Sequence, residues 1–300
     1  MTGAAHRSFP LSAAARRLAC GLLALLLTAC QHLPDAGDAG HRPRPLSQAA
    51  AQGRIQSLTG GGTLTPDTLL EELARADIVI VGERHDAYPH HQIEEWLVRT
   101  LPLRRPAGSY VLEMATVSQQ ARLDAAQRAF PEARPTDEAL QAQLAWSRGW
   151  PWRQYGGLVT ALMAQPAPVL AANLDRPEVE NILRSGARPA GTLSGDPAIT
   201  RTLADTIADS HGMRAGDDRL DGMIAVQMQR DRRMAETLLR APKPAILFTG
   251  NIHALKTLGV PVHLRDLRAD QTLPRVKVLL LAEESAGFDG RHADYLWTGL

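Results

Sequence analysis

The stretch IVIVGERHDAYPHHQ, residues 78–92, runs from apolar residues straight into Glu83, Arg84, His85, His90 and His91. Glu83 and His85 are two apart, so in an extended chain they share one side. A carboxylate beside an imidazole suits an acid–base pair or a metal site. The plainer alternative is a buried Glu83 paired with Arg84, next to a histidine satisfied within the core. His90 and His91, adjacent at the start of a helix, diverge by about 100° and do not easily share one ion. One facing the site and the other facing solvent is the expectation; two surface histidines is the bland alternative. Further along, SYVLEM closes around Glu113, PVLAAN runs into Asn173 and Asp175, and PAILFTG runs into Asn251 and His253. Glu83, His85, Glu113 and His253 could together hold a divalent ion such as zinc or manganese. They could equally act as acid and base on a bound water with no metal.

For those residues to meet, the elements that carry them must end at one place. Residues 77–81, 109–114, 168–173, 244–250 and 276–284 read as buried strands. Residues 90–101, 117–130, 198–209 and 217–240 read as helices between them. Continuous Val/Ile/Leu runs separated by helices predict an α/β fold with a central, mostly parallel sheet and helices on both faces. In such sheets ligands sit beyond the carboxyl ends of the strands, and four strands bring titratable or polar residues to that edge. Residues 186–217, rich in Gly, Ser, Asp and Pro, read as a lid or insertion.

Three of the five tryptophans fall in WSRGWPWRQY, Trp146, Trp150 and Trp152, with Tyr155 behind them. Clustered indoles usually mean packing; on a surface they would offer a flat apolar contact to a planar ligand or a second subunit. Arg148 and Arg153 could meet carboxylates there. The methionines of the 223–239 stretch read as core filler. The 300 residues carry 33 basic and 32 acidic side chains, which gives no clustered positive excess and argues against nucleic acid as a partner. Cys-x-x-Cys-His, His-Glu-x-x-His, Gly-x-Ser-x-Gly and Walker motifs are all missing.

The N-terminal segment has targeting anatomy: a basic start with Arg16 and Arg17, an apolar run from Leu18 to Leu27, then LTAC ending at Cys30. This is similar to a bacterial lipobox, in which the cysteine becomes the lipidated N-terminus. The expected organisation is a signal peptide over 1–29, a lipidated Cys30 with a flexible tether over 30–54, and one domain over 55–300. Cys20 and Cys30 are the only cysteines, so the domain lacks disulfides and rests on buried apolar surface. Gln31, rather than Asp, after the cysteine points to the outer membrane under the sorting pattern this segment resembles.

The pieces IVIVGERHDAYPHHQ, VLEM, WPWRQY, PVLAAN, QMQRDRRMAETLL and FTGNIHALKTLGVPVHL occur in series across residues 75–265. In that order they resemble the ChaN-like haem-binding lipoprotein family, within a wider group that includes TIKI/TraB and erythromycin-esterase-like folds. The resemblance implies an outer-membrane lipoprotein of haem and iron uptake, able to enclose two stacked haems in a homodimer and to exchange haem with an outer-membrane receptor. It implies a tyrosine ligand to the iron: Tyr155 in WPWRQY first, Tyr88 second, with His85, His90, His91 or His253 as alternative ligands or hydrogen-bond partners. Trp152, Arg148 and Arg153 would serve the porphyrin face and propionates. Tyr88-Pro89 stands where an acidic or Asn-Pro lead into the histidine pair is expected, which leaves the role of Tyr88 open. Two functions follow: a haem-binding protein without turnover, and a metal-dependent or acid–base hydrolase built on Glu83, His85, Glu113 and His253.

Overall fold

The apolar runs become the middle of an eight-stranded sheet in the computed structural model, which describes residues 45–213, 217, 219–285 and 287–300. The strands are β1 (Arg54–Ser57), β2 (Thr63–Leu64), β3 (Ile78–Glu83), β4 (Ser109–Thr116), β5 (Val169–Asn173), β6 (Ala245–Gly250), β7 (Val276–Leu281) and β8 (Tyr295–Thr298). Their spatial order is β2-β1-β8-β7-β3-β6-β4-β5. From β8 to β5 every neighbour is parallel; β1 runs antiparallel to β8 and to β2. The α/β class with a mostly parallel sheet is therefore as the sequence predicts.

Alternation along β3 shows how the sheet is clothed. Val79 and Val81 point into a core with Ile93, Leu97, Leu158 and Leu162, while Ile78 and Ile80 point into another with Met234, Leu238, Val260 and Leu264. Successive strand side chains face opposite ways, so each face takes its own helices. Helices Tyr88–Thr100 and Trp152–Met163 cover the first face; Leu220–Arg240 and Val260–Leu267 cover the second. Burying these apolar faces supplies the main stabilisation, at about 25 cal/mol per Å².

One boundary differs from expectation, and the helix expected over 198–209 is present. The tether reading extends to residue 54, yet Gln48–Gln52 is helical with Ala50 buried, and Arg54 opens β1. Residues 186–217 contain the helix Pro197–His211, which packs Leu203 and Ile207 against Ile224 and Met228. The signal peptide and Cys30 lie outside the described residues.

Gly82 positions the site. A β-carbon there would lie 2.6 Å from the Ala254 side chain and 2.8 Å from Leu280. Only a bare backbone lets the short helix Asn251–Ala254 press onto the end of β3, which brings His253 to the strand ends.

Candidate functional site

Glu83 is the last residue of β3, and its carboxylate is buried. The chain leaves the strand there, yet His85 folds back so that its Nδ1 donates to Glu83 Oε1 at 2.6 Å. Tyr155, from helix Trp152–Met163, donates its hydroxyl to the same oxygen at 3.0 Å and lies 3.2 Å from His85 Nδ1. The His85 side chain is 44% exposed, so it stands between core and solvent. Burial opposes a charge on His85, but the Glu83 hydrogen bond and the charges of Glu113 and Glu83 outweigh it and raise its pKa.

The neighbouring strands supply a second chain of contacts. Glu113 in β4 accepts from the Thr249 hydroxyl at 2.6 Å and the Gly250 N–H at 2.8 Å. His253 Nε2 lies 3.4 Å from Glu113 Oε1, and its Nδ1 donates to Asp231 at 2.7 Å. Burial disfavours charge on His253, but the Glu113 and Asp231 carboxylates prevail and push its pKa up to about 10. Glu113 shows the reciprocal effect: burial alone would raise it, and the His253 charge holds it well below the usual carboxylate range.

These two chains meet across Gly250. A β-carbon on Gly250 would lie 2.8 Å from His85 Nε2 and 3.8 Å from Glu113. The result is a cleft of about 390 Å³ whose walls include Glu83, His85, Glu113, Trp150, Arg230 and His253. Trp150 sets its ring against His85 at 4.8 Å, edge to face. Arg230, half-buried on helix Leu220–Arg240, has a buried Nε with no hydrogen-bond partner.

The structure thus brings Glu83, His85, Glu113 and His253 to one cleft, but as a metal set the four do not close. Glu113 is saturated by Thr249, Gly250 and His253, and both His253 nitrogens face carboxylates. His90 and His91 are both buried, against the expectation that one or both meet solvent: His90 Nδ1 accepts from the Arg84 N–H at 3.0 Å, and His91 turns toward Glu83 and Glu94. Burial, then the neighbouring His91 charge, lowers the His90 pKa to about 4, so His90 stays neutral. Tyr155 is fully buried, and burial together with Glu83 and Glu94 drives its pKa far above the ordinary phenol value. Tyr88 is half exposed at the start of helix Tyr88–Thr100. Trp146 and Trp152 pack edge to face, Trp152 being half-buried, while Arg148 and Arg153 are exposed. Asp175 caps helix Arg176–Ser185 and accepts from Ser118, and Asn173 donates to the Glu113 carbonyl, so both serve the fold.

Sequence reading passes over Asp231, Glu94 and Arg230. The signal for Asp231 is its place on the apolar stripe of Ile224, Met228, Met234 and Leu238, where an acid is costly unless paired. Glu94 has the same signature, one turn from His91 on the buried face of its helix.

A doubly covered parallel sheet with a titratable cleft at its carboxyl edge defines the class. A family model described as haem-binding uptake, Tiki superfamily, ChaN matches residues 69–264. The chain belongs to this family. Its fold is similar to a solved ChaN of Campylobacter jejuni, described as binding haem cofacially, with a TM-score of 0.75 and 24% identity over 82% of this chain and 96% of that one. A mutant of the erythromycin esterase EreC in its open conformation aligns at a TM-score of 0.44 and 14% identity, over 81% of this chain and 82% of that one. No curated protein matches the chain.

Proposed function

We propose that this chain binds haem over the cleft at the strand ends, with His85 meeting the iron, in haem uptake at the cell envelope. Family membership supports haem as the class of cargo. The observation that carries the site is the Glu83–His85 pair. A metal-ligating histidine commonly gives its second ring N–H to a carboxylate, which fixes its tautomer and raises its basicity. Here Nδ1 is tied to Glu83, and Nε2 borders Gly250, where any side chain would intrude. Trp150 offers an apolar edge, and Arg230 a cation for a propionate. Bound there, haem would supply the iron's redox and ligand-binding chemistry. The chain's own residues would orient the imidazole, neutralise propionates and wall off one face of the ring.

Tyr155, the first choice from sequence, is better suited to steadying Glu83 than to ligation, because its hydroxyl is buried and engaged. Tyr88 is the second source of a ligand. The haem of the Campylobacter protein is bound cofacially, and the same arrangement here would place a second copy over the cleft, giving a homodimer. Lipidation at Cys30, an outer-membrane address, the one-domain organisation and exchange with an outer-membrane haem receptor complete the proposal, and rest on the sequence.

Haemin titration of the full chain, followed by absorption, tests it. A saturable shift is expected, and His85→Ala should weaken it at least tenfold. An unchanged titration in His85→Ala with loss in Tyr88→Phe moves the ligand to Tyr88; no saturable shift in the parent chain overturns the haem reading.

The alternative reading, an acid–base hydrolase, draws on the Asp231–His253–Glu113 line facing Glu83–His85 across Gly250. Activated esters incubated with the chain and with His85→Ala would reveal it; equal rates for both exclude that role for His85.

A further inference from the structure

Behind the cleft lies a second, fully buried cluster. Glu83, His91 and Glu94 are each at most 2% exposed. One ligand atom from each lies within 4.8 Å of the others. His91 and Glu94 sit three apart on helix Tyr88–Thr100, which places both on the face turned toward β3. Among the described residues this is the only trio that gathers metal-ligating atoms in this way.

The hydrogen bonds leave the cluster unfinished. Glu83 spends Oε1 on His85 and Tyr155, and Glu94 accepts from His91 Nδ1 at 3.1 Å through Oε2. Glu83 Oε2 and Glu94 Oε1 are buried with no hydrogen-bond partner. His91 Nε2 lies 3.9 Å from Glu83 Oε2, too far for a hydrogen bond, and makes only a long 3.3 Å contact with the His85 carbonyl, which an ion would replace. Solvent does not reach either oxygen, and each unsatisfied buried acceptor costs about 1–3 kcal/mol.

We infer that Glu83, His91 and Glu94 form a site for a divalent first-row transition cation, separate from the cleft and sharing only the Glu83 carboxylate with it. Two carboxylates and one imidazole suit manganese(II), iron(II) or zinc(II). Ion–ligand bonds of about 2.0–2.2 Å would draw the trio inward slightly and give both orphaned oxygens a partner. The ion would take Glu83 Oε2 and leave Oε1 to His85. It would compete for the charge that Glu83 lends to His85. The inference does not depend on haem, and either site can fail alone.

The test uses the full chain, free of haem, stripped with EDTA. It is loaded with manganese(II) or zinc(II) chloride, desalted and assayed for metal by mass spectrometry. About one equivalent per chain is expected, with a raised thermal midpoint. Glu94→Gln should bind at least tenfold more weakly, while His85→Ala, which leaves the trio intact, retains the ion. Circular dichroism checks the folding of each variant, and His91→Gln replaces Glu94→Gln should that variant misfold. Failure of the parent chain to retain either metal overturns the inference. So does equal retention by folded Glu94→Gln and parent, or loss in His85→Ala alone, which would put the metal in the cleft.

Discussion

Glu83 and His85 are joined by a 2.6 Å hydrogen bond across the point where β3 stops. The strand fixes the carboxylate in the core, and the carboxylate in turn fixes an imidazole that is otherwise half in solvent. Glu83→Gln keeps the shape of this arrangement and removes its charge. Haemin affinity is expected to fall about 10- to 100-fold, the range for losing a partner that orients a ligand. A titration monitored by absorption measures it.

Gly250 is where the two contact chains of the cleft approach. In Gly250→Ala the new methyl would stand 2.8 Å from His85 Nε2. The imidazole must shift, so haemin binding should weaken severalfold. Stability should fall by about 1–3 kcal/mol, the usual cost of overpacking. Comparing haemin titration with urea denaturation on the same protein separates the two effects.

His253 holds two buried acids together. His253→Ala leaves Glu113 and Asp231 facing each other without a cation, and about 3–5 kcal/mol of stability should be lost. Chemical denaturation of parent and variant measures the difference. A loss under 1 kcal/mol would mean that the pair carries little of the fold's stability.

The same histidine gives stability a pH dependence. Its folded pKa, near 10, stands above the ordinary value of 6.5, so its contribution is fully present below about pH 6.5. That contribution declines as pH rises and is lost on passing through about 10. The denaturation midpoint should therefore drop between pH 7 and pH 10.5, and His253→Gln should remove most of this drop. Equal slopes in parent and variant would assign the effect to other groups.

Much of the site is legible in the sequence because strand ends are. Glu83, Glu113 and His253 each follow or close an apolar run, and parallel strands deliver such residues to one edge. Burial is harder to read. One of His90 and His91 is expected to face solvent, yet both are buried with Ile93, Glu94 and Leu97 where their helix packs onto the sheet. Tyr155 is expected as an iron ligand from the family resemblance of WPWRQY. The helix starts at Trp152, and this turns the phenol inward to Glu83. Strands β1, β2 and β8 escape notice for another reason. They are two to four residues long, and RIQS carries too few apolar positions to show a period.

The sheet order has a final consequence. The hairpin of β1 and β2 reaches the rest of the sheet only through β8, four residues long, which pairs with β1 on one side and β7 on the other. A chain cleaved before Tyr295 would bare Leu279–Leu281, the apolar end of the strand Val276–Leu281. Naked edges of that kind recruit strands from other molecules. Tyr295–Thr298 therefore guards the protein against sticking to itself, two strands away from the β3 that carries Glu83.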